Sequence, residues 1–445
     1  MNERRVVITG CGVATPLGIG VDALWDGLIA RKSGIGPIKA FDAGGLKSRL
    51  GAEVPDYKMA DFVPKTYRKS TKVMARDIEL AVVCALEATR HAKLITKCTL
   101  ARDEADGALS VDSTRFGANI GAGLICADLQ ELAGALQTSG DHASGAFDEQ
   151  KWGEEGMYQL TPLWLLKFLP NMLGCHVTIV HDAQAPSNTI TCGEASSHLA
   201  IGEAFRTIAR GAADVCICGG AESKMNPMGV MRQQLIGRIV AGGDDDPATA
   251  CRPFDGSANG MVAGESGGLL ILEDLEFAKK RGARILAEVI GFGAGTSISS
   301  WHEPEADGVG AALAVENALR DAGLKAAQVD LVCTFGTGIN GYDAAELAAW
   351  KRVLGDRRDV PAMALKGALG TSGAGAGAVD LAGVVMALHH NTLPPSANTE
   401  RAATDGLLKF AQAGPVDLKI KSAVSLAYAL SGSQNAALVL RRYEG

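Results

Sequence analysis

The chain of 445 residues is 47% hydrophobic and contains 55 glycines, so it is long enough to bury a large core. Its formal net charge is −7 and no stripe of basic residues stands out, which argues against a nucleic-acid-binding protein. No apolar stretch approaches the ~18 residues of a membrane span, and the residues before Val6 lack the apolar stretch of a secretory signal, so we expect a cytoplasmic protein without a membrane anchor.

Strands and helices alternate in the first half of the chain. Apolar runs and their periodicity predict strands at Val6–Gly10, Phe116–Gly123, Asn188–Thr191 and Val215–Cys218, and helices over about Ala75–Ala92 and Ser196–Arg210. Such alternation is typical of layered α/β proteins with parallel strands.

The second half repeats this alternation. It predicts a helix over about Val309–Ala322, a strand at Val329–Thr334, a helix after Asp343, a buried helix from about Gly377, and paired strands between Lys421 and Arg441. We therefore divide the chain into two related halves, residues 1–255 and 256–445.

The cysteines and glycine-rich segments give no sign of a bound metal or cofactor. Cys84, Cys175, Cys216 and Cys218 lie in apolar segments, as reduced core residues of a cytosolic protein do. No second ligand pair accompanies Cys216 and Cys218, and the histidines lack metal-site spacing. The segment 373–377 lacks the Gly-Lys-Ser/Thr ending of a phosphate-binding loop. We expect neither metal nor dissociable cofactor.

A charged residue stands in the turn between the strand ending at Thr191 and the helix beginning near Ser196. A helix N-terminus stabilises negative charge, so such a turn often carries a reactive thiolate. Here Glu194 takes that place. A carboxylate cannot carry an acyl group as a thiol does, and we expect it to be ionised and held by N–H groups at the helix N-terminus. Cys192, two residues earlier, is interpreted as a core thiol.

Several motifs occur in a set order along nearly the whole chain. They include Arg4–Gly10, Thr15–Gly18, Lys32–Ile38, Ile201–Ala204, Gly219–Glu222, Arg252–Asp255 and Glu265–Glu273. In this order they resemble the β-ketoacyl-[acyl-carrier-protein] synthases, or ketosynthases, of fatty acid and type II polyketide synthesis. The resemblance implies a thiolase-like α/β fold, with two related βαβ-rich halves in a layered αβαβα arrangement.

The resembled family uses a cysteine nucleophile, two histidines and a lysine, and three of these positions are changed here. Counting without gaps from Ile201–Ala204, the resemblance places Glu194 at the cysteine position. It places Phe335 at the first histidine and Thr371, five positions after Lys366, at the second. Each oxyanion donor supplies about 3–4 kcal/mol in such catalysis. We therefore expect no condensation by this chain alone.

The lysine of the family survives as Lys366, and the resemblance pairs it with Asp380. Removing one partner of a buried ion pair costs about 3–5 kcal/mol. We interpret the retained lysine as structural, because that cost explains its presence without any chemistry.

The resemblance also implies which residues line an acyl channel. They are Leu124 after a glycine-rich strand, Trp164 across a dimer interface, and Leu430 where the family has a gating phenylalanine that offers an oxyanion N–H. Trp164 would stop a growing chain by steric exclusion; alternatively, it is ordinary interface core. Ala429 and Ser431 replace flanking glycines, which predicts a gate with less freedom to move.

These replacements predict a non-catalytic subunit of the chain-length-factor type. It would pair as a heterodimer with an active ketosynthase and shape the acyl channel, with an acyl carrier protein and a growing poly-β-keto or polyene chain as further partners. Two alternatives stay open. One is a decarboxylase of malonyl-carrier protein that uses the modified site, and the other is a homodimeric acyl-binding or regulatory protein.

Overall fold

The computed structural model describes residues 4–141 and 143–445. Residues 1–3, part of the segment predicted to lack a secretory signal, lie outside the described residues. The strands are β1 Val6–Thr15, β2 Gly18–Ile19, β3 Ile35–Pro37, β4 Leu50–Ala52, β5 Phe116–Ala122, β6 Asn188–Ile190, β7 Val215–Ser223, β8 Glu265–Asp274, β9 Ala287–Thr296, β10 Leu331–Cys333, β11 Val360–Met363, β12 Thr392–Leu393, β13 Leu408–Phe410, β14 Val416–Asp417, β15 Ser422–Tyr428 and β16 Gln434–Arg442.

The α-helices are α1 Val21–Ile29, α2 Arg76–His91, α3 Lys97–Ala101, α4 Leu129–Ser139, α5 Glu149–Glu154, α6 Met172–His181, α7 Ser196–Ala209, α8 Pro227–Leu235, α9 Leu275–Lys280, α10 Val309–Asp321, α11 Asn340–Leu354, α12 Lys366–Leu369 and α13 Ala376–His390. Within the described part of the chain, none of these helices combines the length and apolar character needed to cross a membrane.

The strand order repeats between the two halves. The first half has the order β1-β8-β7-β5-β6, and the second has β9-β16-β15-β10-β11 with β13 added at the edge. In each set the first two pairings are antiparallel and the next two are parallel. The sets join where β1 pairs with β9 through Val6, Val7 and Ile8.

Five layers follow from how the helices cover these strands. Helices α7 and α13 lie in the centre, where they contact each other and strands of both halves, and α13 is buried from Ala376 to Leu388. Helix α2 covers β1, β7 and β8 on one outer side, and α10 covers β9 and β16 on the other. Helix, sheet, helix, sheet and helix therefore follow one another, as the family resemblance implies.

Strand β8 follows residue 255 in the chain but pairs within the first set of strands. By strand order, β8 is the fourth strand from the edge strand β6 in the first half, so the first repeat extends to Asp274. The sequence does not reveal that β8 belongs to the first repeat, because an apolar run of this kind is compatible with either half. The division into domains at residues 255 and 256 stays a prediction.

The loops that follow the parallel strands meet near the central helices. The turn after β6 carries Glu194, the loop after β10 carries Phe335, and α12 after β11 begins with Lys366. The loop after β15 carries Leu430, and the loop after β5 carries Leu124. The carboxyl ends of such strands are where α/β proteins place their ligands.

Candidate functional site

Glu194 lies in the turn between β6 and α7, and only 5% of it is exposed. The turn is sharp because Gly193 adopts a positive φ of 55°. The Ser196 hydroxyl stabilises the turn through two hydrogen bonds: it accepts one from the Cys192 N–H at 2.8 Å and donates one to the Gly193 carbonyl at 2.6 Å. Glu194 Oε2 accepts a hydrogen bond from the Leu430 N–H at 2.9 Å. This donor belongs to the other half of the chain, whereas the sequence predicts N–H groups at the start of α7.

A buried lysine stands between Glu194 and a second carboxylate, and we call these three residues the charged triad. Lys224 Nζ donates to Glu222 Oε1 at 2.8 Å and lies 3.8 Å from Glu194 Oε1. The other oxygen of Glu222 accepts from the Ala374 N–H at 2.7 Å. Burial lowers the pKa of Lys224, but the two carboxylates outweigh burial and raise this pKa above its ordinary value. Lys224 therefore stays charged.

The loop 429–433 between β15 and β16, which we call the gate loop, is held from both sides. The Leu430 carbonyl accepts hydrogen bonds from the Tyr342 hydroxyl at 2.7 Å and from the buried Arg238. Arg238 also donates to Ser431 Oγ at 2.7 Å and to the Tyr342 hydroxyl oxygen at 2.8 Å. Because Glu194 accepts the Leu430 N–H, both polar groups of this residue's backbone are bound.

Phe335 and Lys366 are in contact at the ends of β10 and β11. Lys366 Nζ lies 4.0 Å from the centroid of the Phe335 ring and forms an ion pair with Asp380, the partner that the sequence predicts. Lys366 and Asp380 are each 1% exposed. Burial raises the pKa of Asp380, although Lys366 opposes that rise. The ammonium is therefore enclosed by one aromatic face and one carboxylate.

Thr371 is buried and is fixed mainly through its backbone. Its N–H donates to the Val262 carbonyl at 2.8 Å, and its carbonyl accepts from the Gly264 N–H at 3.0 Å. Its hydroxyl has no hydrogen-bond partner among the residues that the structure describes. Within that part of the chain, no hydrogen bond joins the Thr371 side chain to Glu194 or Lys366.

The three residues predicted at the channel lie in different surroundings. Leu124 is 59% exposed and lines a cavity beside Glu194. Trp164 is half-buried, packs its ring 5.2 Å from that of Phe168, and does not line this cavity. The Leu430 side chain is buried in the core of the second half. The backbone N–H of Leu430 reaches Glu194, and the assignment of Leu430 to the channel stays a prediction.

The cavity beside Glu194 has a volume of about 340 Å³. Its wall contains Ala122, Gly123, Leu124, Pro170, Thr191, Gly193, Glu194, Glu222, Lys224, Arg232, Gln233 and Ser431. The cavity thus joins the charged triad to the exposed face at Leu124, and we call it the triad cavity.

Burial shifts the pKa values of two neighbouring side chains, Cys192 and His198, away from those of an effective nucleophile and base. Cys192 is half-buried rather than in the core, and burial raises the pKa of its thiol, which disfavours the thiolate. His198 lies inside α7, and its Nε2 is 2.9 Å from Ser425 Oγ. Burial lowers the pKa of His198 to about 3, so its ring is neutral near pH 7.

Comparison with known proteins identifies the family. The family description "Beta-ketoacyl synthase, N-terminal domain" matches residues 3–278, and "Beta-ketoacyl synthase, C-terminal domain" matches residues 286–400. The chain belongs to the β-ketoacyl synthase family. The resemblance inferred from the motifs is thereby confirmed.

Relatives of this ketosynthase homologue come from both fatty acid and polyketide synthesis. It is 31% identical to 3-oxoacyl-[acyl-carrier-protein] synthase 2 of Synechocystis, over 100% of this chain and 99% of that protein. It is 30% identical to the ketoacyl synthase alpha subunit of the tetracenomycin polyketide synthase of Streptomyces glaucescens, over 99% and 98% of the two chains.

Solved structures confirm the predicted thiolase-like fold of the ketosynthase homologue. One similar structure is described as the ishigamide ketosynthase/chain length factor, with a TM-score of 0.82, 27% identity, and coverage of 99% of this chain and 100% of that one. Another is a type II polyketide acyl-carrier protein in complex with its ketosynthase, with a TM-score of 0.82, 25% identity, and coverage of 99% and 100%.

Sequence reasoning missed the residues that surround Glu194 in the ketosynthase homologue. Lys224 follows the buried strand β7 directly, and a lysine at the end of such a strand was the available signal. Arg238 and Tyr342 carry no such signal, because their partners are carbonyl and hydroxyl groups far away in the sequence.

Proposed function

We propose that this ketosynthase homologue is a non-catalytic subunit of the chain-length-factor type. The observation that carries the proposal is the hydrogen bond from the Leu430 N–H to the Glu194 carboxylate. By resemblance, the residue at position 194 attacks the acyl thioester and the gate-loop N–H stabilises the oxyanion that forms. Here one of these groups binds the other, so a thioester carbonyl would meet neither a nucleophile nor a free donor.

The two predicted histidine positions support the same proposal. A phenyl ring cannot donate a hydrogen bond to an enolate, and the Phe335 ring faces the Lys366 ammonium. The Thr371 hydroxyl is a weaker donor than a protonated imidazole and cannot take up a proton as imidazole does. Lys366 is engaged with Asp380. Condensation and malonyl decarboxylation would both lack their oxyanion donors.

The surface at the edge strand β6 supports pairing with another chain. Strand β6 pairs with β5, and among the described strands none pairs with its other edge. Helix α6 and the segment 163–168 that packs against it present the exposed apolar side chains Leu163, Leu165 and Ile179. An unpaired strand edge beside exposed apolar residues is a surface suited to a second chain. We assign this surface to an active ketosynthase, forming a heterodimer.

The remaining partners follow from that assignment. The active subunit would take its acyl chain from an acyl carrier protein, and the chain would extend toward Leu124 of this subunit, in type II polyketide, polyene or fatty-acid-like synthesis. A cytoplasmic location is part of the same proposal. Leu124 is well placed for the proposed channel, because it is exposed and lines the triad cavity.

The test compares the chain alone with the chain beside an active ketosynthase that has an intact Cys-His-His set and comes from the same organism. Alone, the chain should gain no acyl mass from acyl-carrier protein and release no carbon dioxide from malonyl-carrier protein. The active subunit should elongate only when this chain co-purifies with it. A Cys→Ala variant of the active subunit is the control, and it should abolish elongation.

Two other outcomes would establish the alternatives. Carbon dioxide release by the chain alone, lost in Glu194→Ala, would show a decarboxylase. A stable homodimer that binds acyl groups and does not exchange with the active ketosynthase would show an acyl-binding or regulatory protein. A covalent acyl adduct on Cys192 would refute the assignment of the chain as non-catalytic.

A further inference from the structure

A second cavity, of about 260 Å³, lies at the end of the sheet opposite the charged triad. Lys421 in its wall comes directly before β15, whereas the gate loop follows the other end of that strand. The seven residues of β15 span about 23 Å at ~3.3 Å per residue, so this cavity is separate from the triad cavity. We call it the basic cavity, and its wall contains Arg5, Glu288, Lys421, Arg441, Arg442 and Glu444.

Glu288 fixes two of the four cations in the wall of the basic cavity. Arg5 donates hydrogen bonds to Glu288 Oε1 at 2.7 Å and to Oε2 at 2.9 Å, and Arg441 Nη2 donates to Oε2 at 2.7 Å. The Glu288 side chain is 4% exposed, whereas those of Arg5 and Arg441 are 52% and 48% exposed. Burial raises the pKa of Glu288, but the two guanidinium groups outweigh burial and lower this pKa below its ordinary value. The ionised carboxylate therefore anchors two guanidinium groups that remain open to solvent.

The basic cavity carries more positive charge than its own carboxylates neutralise. Within the described residues, the side chains of Lys421 and Arg442 form no ion pair and no hydrogen bond. The Nη1 groups of Arg5 and Arg441 likewise have no hydrogen-bond partner in that part of the chain. The wall has four cations and two carboxylates, which leaves a surplus of two positive charges. A concave site with such a surplus concentrates its field on an anion.

The donors and the charge of the basic cavity indicate which anion fits. Guanidinium groups offer pairs of N–H donors that match phosphate oxygens, and a lysine ammonium adds a compact charge. A phosphate monoester carries a charge of about −1.5 to −2 at pH 7, which matches the surplus of two positive charges. The cavity volume is several times the ~30 Å³ that one water occupies in the liquid. It therefore admits a phosphate together with part of the group attached to it.

We propose that the basic cavity binds the phosphate group of a small phosphorylated molecule. Phosphate oxygens accept hydrogen bonds from the Nη1 groups of Arg5 and Arg441, while Lys421 and Arg442 neutralise the remaining charge. Glu288 already holds both guanidinium groups in place, so binding has less side-chain ordering to supply. The proposal does not rest on the non-catalytic function of the chain, because the length of β15 separates the two cavities.

Titration calorimetry on the full chain, at an ionic strength of about 0.15 M, tests the proposal. The probes are phenyl phosphate and phenyl sulfate, which have the same shape and differ in charge at neutral pH. Phenyl phosphate should bind at least about tenfold tighter, because a hydrogen bond to a charged group is worth roughly that factor or more. Equal affinities, or no binding of phenyl phosphate, would overturn the proposal.

The variants Lys421→Gln and Arg442→Gln each remove one unpaired cation and leave Glu288 with both of its partners. Each should weaken phenyl phosphate binding about tenfold. Lys419→Gln is the matched control, because Lys419 is exposed, stands two positions before Lys421 and does not line the cavity. It should change the affinity by less than about twofold. Equal weakening by Lys419→Gln and Lys421→Gln would show attraction to general charge and refute the site. Thermal unfolding without ligand checks the fold, and Lys421→Gln alone decides if Arg442→Gln does not fold.

A phosphate monoester also forms the headgroup of phosphatidate, so a second arm separates a soluble ligand from a membrane. The chain is sedimented with phosphatidylcholine vesicles that contain or lack phosphatidate, and it should stay in the supernatant in both cases. Glycerol 3-phosphate should displace phenyl phosphate in calorimetry. Sedimentation with the phosphatidate vesicles, together with no affinity for glycerol 3-phosphate, would refute a small-molecule ligand.

Discussion

The substitution Lys366→Met tests whether the retained lysine is structural. Lys366 and Asp380 are each 1% exposed and form an ion pair, and the Lys366 ammonium also lies 4.0 Å from the Phe335 ring centroid. Methionine keeps the length of the side chain but removes the charge. Asp380 would then be a buried carboxylate without its cation. The double variant Lys366→Met/Asp380→Leu removes both charges and is the matched control.

The expected magnitude follows from this burial. Removing one partner of a buried ion pair costs about 3–5 kcal/mol, whereas replacing both by apolar residues is often neutral or stabilising. Unfolding entropy of ~2.1 cal/mol/K per residue gives a chain of 445 residues about 0.9 kcal/mol per degree. We therefore expect Lys366→Met to lower the Tm by about 3–5 °C. The double variant should recover most of this loss.

The loss should also depend on pH. Burial already raises the pKa of Asp380, and losing the opposing ammonium would raise it further. A carboxyl whose folded-state pKa is raised favours the folded state at low pH, and this advantage disappears as the pH rises from about 4 through the folded pKa. The Tm deficit of Lys366→Met relative to the parent chain should therefore be larger at pH 8 than at pH 5.

Differential scanning calorimetry at both pH values measures these differences, and limited proteolysis checks that each variant is folded. A Tm loss below one degree in Lys366→Met would refute the structural interpretation. So would a double variant that is less stable than the single one. Lys366→Met that leaves the Tm unchanged but abolishes elongation by the heterodimer would instead indicate a chemical role.

The remaining predictions concern the turn, the gate loop and the proposed channel wall. Glu194→Cys should not restore condensation in an elongation assay, because Phe335 and Thr371 remain and groups that act as a unit are strongly non-additive; substantial condensation would contradict the assigned positions. Arg238→Met removes charged hydrogen bonds to the gate loop, so it should speed hydrogen exchange of the gate-loop amides by roughly tenfold or more. Unchanged exchange would show that the gate loop does not depend on the Arg238 hydrogen bonds. If the Trp164 indole stops the growing acyl chain, Trp164→Ala in the heterodimer should lengthen the product measured by mass spectrometry. If Trp164 is ordinary interface core, the substitution should only weaken the dimer, by less than the ~3–5 kcal/mol of a fully buried tryptophan.

Much of the fold was predictable because local patterns carry it. The helix predicted over about Ser196–Arg210 spans Ser196–Ala209, and the paired strands predicted between Lys421 and Arg441 are β15 and β16. Periodicity and turn residues act within a few positions, so one sequence reports them. The position of β8 was not predictable in this way, because strand order is decided by packing between distant segments.

The same distinction holds for the site. The family resemblance groups Glu194, Phe335 and Lys366 in one site, and the structure places them in the segments that follow β6, β10 and β11 of the sheet. The hydrogen-bond partner of Glu194 could not be predicted from the sequence, because Leu430 lies 236 positions away and offers a backbone group. Any residue has an N–H, so nothing in the sequence singles out Leu430 as the donor.

The interactions around Glu194 support the proposal that the family framework is kept while the reactive groups are replaced. Lys224 lies between Glu194 and Glu222, and Arg238 binds the carbonyl of the residue whose N–H binds Glu194. Replacing Glu194 by cysteine would leave Lys224 with one carboxylate and the gate loop with one free N–H. The proposed non-catalytic function therefore predicts that restoring condensation needs the surrounding charges changed together with the reactive groups, because each of these buried groups is balanced by another.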